Sequence, residues 1–192
     1  MIATPEQRWQ ALLATFTAVT DAKGKPIDPG ILEAVVALNA LNISTSGSCE
    51  GHLEWGTGAP WIDIRAPGIQ EEDRQAGLAL TDARRQRDLQ QLPLEEIAKR
   101  MSAALELKKR VELKHLAERS KAMSYLTIFY QNRHVPYDRL LIAHGAVGQT
   151  RLESQGAGLL PLLTLEQRRQ KLAEYQEEMH AFACFLKAAF FA

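Results

Sequence analysis

The sequence predicts an α+β fold: a small, mostly antiparallel sheet packed by N- and C-terminal helices and interrupted by a long helical insertion. Three observations carry this reading. Helix starts of the same capping type open both ends of the chain, at Thr4 and Thr164. Four short strand-like stretches lie between them. Between the second and third of these, residues 69–132 retain only Gly77 and Pro93 of the residues that break helices. A run of strands and helices that do not alternate regularly is the pattern of α+β rather than α/β proteins.

Each element has a local reason. Thr4 can cap, Pro5 suits the first helical position and Gln7 completes a capping box. Trp9, Leu13, Phe16 and Val19 then recur at helical spacing, and Lys23-Gly24-Lys25-Pro26 ends the helix. Asp28-Pro29-Gly30 starts a second helix with Asp28 as cap, burying Ile31, Leu32, Val35, Leu38 and Leu41. A strand begins at Ile43, and a loop at 56–58 separates it from a second strand, Trp61-Ile62-Asp63-Ile64. After residue 136 the period returns to two. Leu140-Leu141-Ile142-Ala143 and Thr150-Arg151-Leu152-Glu153 flank glycines at 145–148, a hairpin signal. Thr164-Leu165-Glu166-Gln167 opens the last helix, whose apolar stripe is Leu165, Leu172, Tyr175, Met179, Phe182, Leu186 and Phe190.

These patterns divide the chain into a core of residues 1–68 and 135–192 and an insertion of residues 69–134. Pro93 separates two helices in the insertion, because proline damages a helix interior. As one helix, residues 94–132 would be roughly 58 Å long, against a radius of gyration of ~16 Å for a compact chain of this size. The helix must therefore break near Ser120 or project. Its stripe of Ile97, Met101, Leu105, Leu116, Met123 and Leu126 exceeds what the core can cover, and a homodimer is expected to bury it.

Composition limits the functional classes. The 192 residues are 46% hydrophobic, enough for a real core, and carry 23 basic and 23 acidic side chains. No global field draws the chain to nucleic acid. The basic residues of 81–121, 11 against 7 acids, are interleaved with those acids as on a solvated helix face. Nucleic-acid contact is not favoured. Two cysteines, Cys49 and Cys184, do not make a disulfide scaffold. Neither a signal peptide nor a membrane span is read from the sequence. The expected setting is cytoplasmic.

The densest chemistry lies at 45–52: Thr45, Ser46, Gly47, Ser48, Cys49, Glu50, Gly51 and His52. A core strand would carry branched apolar side chains here, and none follows Ile43. The reading is a strand running into a functional turn. Serine and glycine backbone N–H groups form a donor array for phosphate or carboxylate, and Gly47 and Gly51 let a ligand approach the main chain. Ser46, Ser48 and His52 add donors. Cys49 and His52 can pair as thiol and imidazole to make a nucleophile. They are also half a metal site, which His180 and Cys184 would complete. No metal is expected. Asp63 or His52 is the candidate base, and His144 joins the ligand-binding set if the hairpin lies beside the Cys49 strand.

The run Thr20-Asp21-Ala22-Lys23-Gly24-Lys25-Pro26-Ile27-Asp28, the helical Leu38-Asn39, and Ile43-Ser44-Thr45-Ser46-Gly47-Ser48-Cys49-Glu50-Gly51 together resemble one family. It is the third-step methyltransferases of tRNA wybutosine synthesis, with a D-x-S-x-K-G-x-I-D opening and a T-x-S-S-C-S-G-R turn. The likeness covers residues 15–65, and His52 stands where that family has arginine. Arg151-Leu152-Glu153-Ser154 and Leu160-Pro161-Leu162 echo it more loosely. The S-C-x-G-H form also resembles a turn in uncharacterised bacterial proteins. The resemblance implies an α/β fold and an S-adenosylmethionine-dependent RNA methyl transfer, with the Ser/Cys/Gly turn part of the site; beside it, the residues themselves make Cys49, His52 and Asp63 the catalytic candidates. The function expected is binding of a small anionic or nucleotide-like ligand at 45–52, with that transfer as the reaction. The alternative is a non-enzymatic ligand- or metal-sensing oligomerisation module.

Overall fold

The computed structural model describes residues 3–54, 58–135, 137–144 (the backbone alone at 144) and 150–192. The loop expected at 56–58, in part, and the hairpin turn expected at 145–148 lie outside the described residues. The elements are α1 (Pro5–Thr17), α2 (Pro29–Ala40), β1 (Thr45–Cys49), β2 (Trp61–Ile64), α3 (Ile69–Asp88), α4 (Leu94–Tyr130), β3 (Leu140–His144), β4 (Thr150–Ser154), a 3-10 turn over Ala157–Leu162, and α5 (Leu165–Phe191). The fold is α+β, with a four-stranded sheet ordered β1-β2-β4-β3 and antiparallel at every pairing.

Both expected capping boxes form. The Gln7 N–H donates to Thr4 Oγ1 at 3.2 Å while Gln7 Oε1 accepts from the Thr4 N–H at 2.9 Å. Thr164 and Gln167 repeat the exchange at 3.3 and 3.0 Å. Each box satisfies two backbone donors that would otherwise lack an intrahelical partner.

The sheet turns Ile62, Ile64, Leu140 and Leu152 into the main core, opposite α2, α5 and the last turns of α4. Helix α2 is buried well beyond the expected stripe, with Ala34, Val36, Ala37 and Ala40 all inside. It is apolar on nearly every side, as suits a central helix. Met179, Phe182, Ala183 and Leu186 of α5 pack on it, and Phe129 of α4 meets Phe182 edge-on at 5.1 Å.

The insertion is an antiparallel helical hairpin. Lys114 with Glu72, Lys108 with Asp73 and Arg100 with Gln86 bridge α3 and α4 in opposite chain directions. Helix α4 runs unbroken for 37 residues, about 55 Å, so it projects and does not break near Ser120. The seam shares only Ile97 with the stripe that the sequence pointed to, and Leu126 of that stripe packs into the main core. Ile69, Ala76 and Ala83 recur every seven residues on α3, and Ile97, Ala104 and Val111 do the same on α4. Small alanines let the two helices approach closely along a heptad seam. Leu105, Leu116 and Met123, chosen for their size, stay exposed. At the base of the hairpin, Glu118 accepts from the Ser44 N–H and from Lys121 Nζ, and Lys121 also donates to the Asn42 carbonyl. These bonds tie α4 to the segment that leads into β1.

Candidate functional site

Among the described residues β1 is an edge strand, paired with β2 alone and irregular between Thr45 and Gly47. Along it runs a cleft of about 620 Å³. Thr45, Ser46, Gly47, Ser48 and Cys49 form one side, the 20–28 loop between α1 and α2 the other. Phe16, Val19, Ile27 and Val35 add apolar surface, and Trp61 of β2 closes one part. The volume lies in the range of small-ligand pockets. The absence of branched apolar residues from β1 thus has its reason: the strand fronts a cleft as well as a core.

The 20–28 loop is organised by Asp21. Its Oδ1 accepts from the N–H groups of Lys23 and Lys25 at 2.8 and 2.9 Å, and its own N–H donates to the Lys25 carbonyl. Gly24 supplies the left-handed position, φ +79°, that closes the turn. The Lys25 and then the Lys23 backbone donors hold the Asp21 carboxyl below its ordinary value. The turn presents Lys23 and Lys25 to the cleft. Lys23 makes no ion pair among the described residues, whereas Lys25 Nζ lies 3.0 Å from Asp28 Oδ1.

Asp28 does not cap its own helix through its side chain. Its Oδ2 accepts from the Glu50 N–H at 3.2 Å and lies 3.3 Å from His52 Nε2. In exchange, the Glu50 carboxylate accepts from the Gly30 N–H at 2.8 Å and so caps α2 from outside. The Glu50 carbonyl accepts from Gln176 Nε2 of α5. Glu50 is therefore a staple between β1, α2 and α5, and its side chain is taken up by that bond.

Gly51 is also reassigned. It sits at φ +86°, buried, and a Cβ there would stand 2.7 Å from Leu172 Cδ1, 2.8 Å from the Ala59 carbonyl carbon and 2.9 Å from the Pro60 nitrogen. Its conformational freedom admits neighbouring protein backbone, not a ligand. Gly47 lies against Trp61 and Asp63, where a Cβ would find ordinary contacts of 3.5–3.7 Å.

The other expected residues separate. Cys49 is buried, lines the cleft, and its Sγ accepts from the Gly51 N–H at 3.4 Å. His52 is not among the cleft-lining residues and reaches the cleft through Asp28. Asp63 is held by Arg151, whose Nε and Nη2 donate to its two oxygens at 2.8 and 3.1 Å, and whose guanidinium lies 3.9 Å from the centre of the Trp61 ring. This pair fixes the orientation of Trp61 and leaves Asp63 a poor candidate base. His144 lies on β3, the opposite edge of the sheet. Three strand spacings, ~14 Å, separate it from β1, so the hairpin does not bring it to the cleft. Thr45 Oγ1 accepts from Asn39 Nδ2 at 2.9 Å, which links the α2 asparagine to the cleft strand.

His180 and Cys184 do not join Cys49 and His52. Each pair instead gathers a carboxylate, Asp28 from just before α2 and Glu33 from within it, giving Asp28–Cys49–His52 and Glu33–His180–Cys184, with ligand atoms within 4.8 Å of one another in each set. The sequence reading missed Asp28, Lys23, Lys25 and Trp61. It read Lys23-Gly24-Lys25 as a helix stop, Asp28 as a cap and Trp61 as a strand residue, and the signal that could have found Lys23, Lys25 and Asp28 was the family resemblance of Thr20 to Asp28.

Burial works against ionisation of Asp28, but Lys25, the Glu50 N–H and His52 outweigh it and hold the carboxyl below its ordinary value of 3.8. A carboxyl whose pKa is depressed on folding adds stability above its unfolded pKa and loses it as pH falls through the folded one. Melting temperatures measured from about pH 5 downward are therefore expected to show an acid limb below that ordinary value, shallower in Asp28→Asn. An unchanged limb in Asp28→Asn would show that these contacts do not hold the charged form.

Searched against protein families, curated proteins and solved structures, the chain matches none.

Proposed function

We propose that the β1 cleft binds a small anionic, nucleotide-sized ligand, with S-adenosylmethionine as the cofactor and methyl transfer as the reaction. The observation that carries this reading is the meeting of 20–28 with 45–49 across one cleft. Both belong to the stretches, 20–28, 38–39 and 43–51, that resemble the wybutosine methyltransferases. Lys23 and Lys25 supply positive charge, Thr45, Ser46 and Ser48 supply hydroxyls, and the apolar wall with Trp61 suits a base or thioether portion. Methyl transfer asks mainly that donor and acceptor be held in line. In this reading β1 and the lysine loop do the holding, and His52 positions Asp28.

A thermal-shift screen with S-adenosylmethionine, nucleotides and inorganic phosphate tests this. At a ligand concentration about 100 times Kd the native state gains about 2.7 kcal/mol, a rise of roughly 5–10 °C for a chain of this size. Lys23→Ala and Ser48→Ala are expected to remove the rise while leaving the ligand-free melting temperature nearly unchanged. No response to any of these ligands at millimolar concentration would defeat the reading.

A second observation favours self-association. Leu94, Leu105 and Leu116 recur every eleven residues on α4, with Met123 beyond, and they are 82, 52, 40 and 44% exposed. Eleven residues make just over three full turns, so the four side chains form one stripe. That stripe lies roughly a quarter-turn from the α3 seam. A second copy is the expected occupant, because a chain of zero formal charge does not repel itself. Light scattering is expected to give about 43 kDa, twice the 21.4 kDa chain. Leu105→Glu with Leu116→Glu should return the mass to that of one chain. A monomeric mass for the unaltered protein at tens of micromolar would rule the dimer out.

A further inference from the structure

We infer that Asp28, Cys49 and His52 form a three-ligand site for a divalent transition metal of the zinc class, open on the cleft side. Three parts of the fold deliver these groups. Asp28 immediately precedes α2, Cys49 ends β1, and His52 follows the left-handed turn at Gly51. One oxygen, one sulfur and one ring nitrogen lie within 4.8 Å of one another. Around zinc, bonds of about 2.0–2.3 Å set neighbouring ligand atoms roughly 3.3–3.8 Å apart, so the set closes by about 1 Å on binding.

The surroundings are those that metal ligands use. The Gly51 N–H donates to Cys49 Sγ, and the Glu50 N–H and Lys25 Nζ contact the Asp28 carboxylate. Such outer contacts orient a ligand and temper its charge. The side chains of Asp28 and His52 are only 11 and 17% exposed, and Cys49 is 8% exposed. The second set is poorer. His180 is 65% exposed, and Lys187 Nζ already holds Glu33 at 2.6 Å.

The donor set decides the metal. A thiolate and an imidazole with one carboxylate suit Zn2+ and its substitute Co2+, whereas Mg2+ and Ca2+ require oxygen ligands. Binding removes the Cys49 thiol proton to solvent and forms the metal–sulfur bond. Asp28 and Cys49 both line the cleft. The fourth position therefore opens where the ligand of the proposed function would lie. A water or a ligand oxygen or nitrogen can occupy it. The sequence pattern offers only a four-ligand set with His180 and Cys184; the fold replaces that pair with Asp28.

The test is titration of the chelator-treated full-length protein with Co2+, without any organic ligand, read by visible and near-ultraviolet absorption. One Co2+ per chain with a thiolate-to-cobalt charge-transfer band, displaced by equimolar Zn2+, is expected. Cys49→Ser removes the band, and Asp28→Asn weakens binding ~10-fold or more. His52→Ala, at a less deeply packed position, also loses it and serves if Cys49→Ser does not fold by circular dichroism. Cys184→Ser leaves the band unchanged. Absence of the band from the unaltered protein overturns the inference, as does a band retained in Cys49→Ser and lost in Cys184→Ser. Because no anion is added, failure here leaves the proposed function standing, and failure of the ligand screen leaves this site standing.

Discussion

Gly51→Ala is expected to destabilise the protein by about 2–5 kcal/mol, lowering its melting temperature by roughly 5–15 °C. Two causes add. The residue sits at φ +86°, where an L side chain is strained, and the new Cβ meets the backbone of Ala59 and Pro60 as well as Leu172. The Ala59–Pro60 peptide cannot step aside as a flexible side chain would. The displaced turn also carries the N–H that reaches Cys49 and the peptide that leads to His52. Gly77→Ala is the internal comparison. Gly77 lies in helical α3 with nothing within 4 Å of a Cβ, so that change is expected to stabilise by about 0.5–1 kcal/mol. Thermal melts of the two variants side by side check the contrast. A Gly51→Ala protein as stable as the unaltered chain would show that the turn is not packed as described.

Glu178→Ala is expected to cost about 3 kcal/mol, toward the lower end of what breaking a buried ion pair costs. Glu178 is fully buried and accepts from Tyr130 Oη at 2.7 Å and from Arg133 Nη2 at 2.6 Å. Tyr130 Oη accepts in turn from the Leu140 N–H at 2.7 Å. The network joins α5 to the end of α4 and to the first residue of β3. Removing the carboxylate leaves the phenol and guanidinium without their acceptor. Arg133, 35% exposed, can turn to water, which limits the loss. Tyr130→Phe removes the one hydroxyl that bonds both Glu178 and the Leu140 N–H and is expected to cost less, about 1–2 kcal/mol. Urea unfolding midpoints give both values. A Glu178→Ala change within about 1 kcal/mol of zero would mean that the network adds specificity rather than stability.

What could be read from the sequence was what depends on near neighbours. Thr4 with Gln7 and Thr164 with Gln167 announce their helices because a capping box is complete within four residues. Trp61 to Ile64 and the hairpin strands were legible from alternation. What escaped depends on partners far along the chain. Asp28 reads as a helix cap, yet its carboxylate meets Glu50 and His52, more than twenty residues away. Glu50 reads as a ligand group, yet the N–H it holds is that of Gly30. Strand order put His144 on the far edge, and no local pattern encodes strand order. The α3–α4 seam was missed because it is built from Ala76, Ala83 and Ala104, which a search for large apolar side chains passes over. At the candidate site, Ser46, Ser48 and Cys49 were found because their chemistry is out of place in a strand. Lys23 and Lys25 were not, because a lysine–glycine turn is also how helices commonly end.

In the proposed function the β1 edge and the 20–28 loop form one anion-binding cleft. Backbone amide NMR of the 15N-labelled protein, titrated with S-adenosylmethionine and separately with inorganic phosphate, tests it most directly. Shifts concentrated in residues 20–28 and 45–49, saturating with ligand and absent in Lys23→Ala, are the predicted result. Saturable shifts confined to the α3–α4 hairpin or to the outer surface of α5, with 20–28 and 45–49 unmoved, would contradict it.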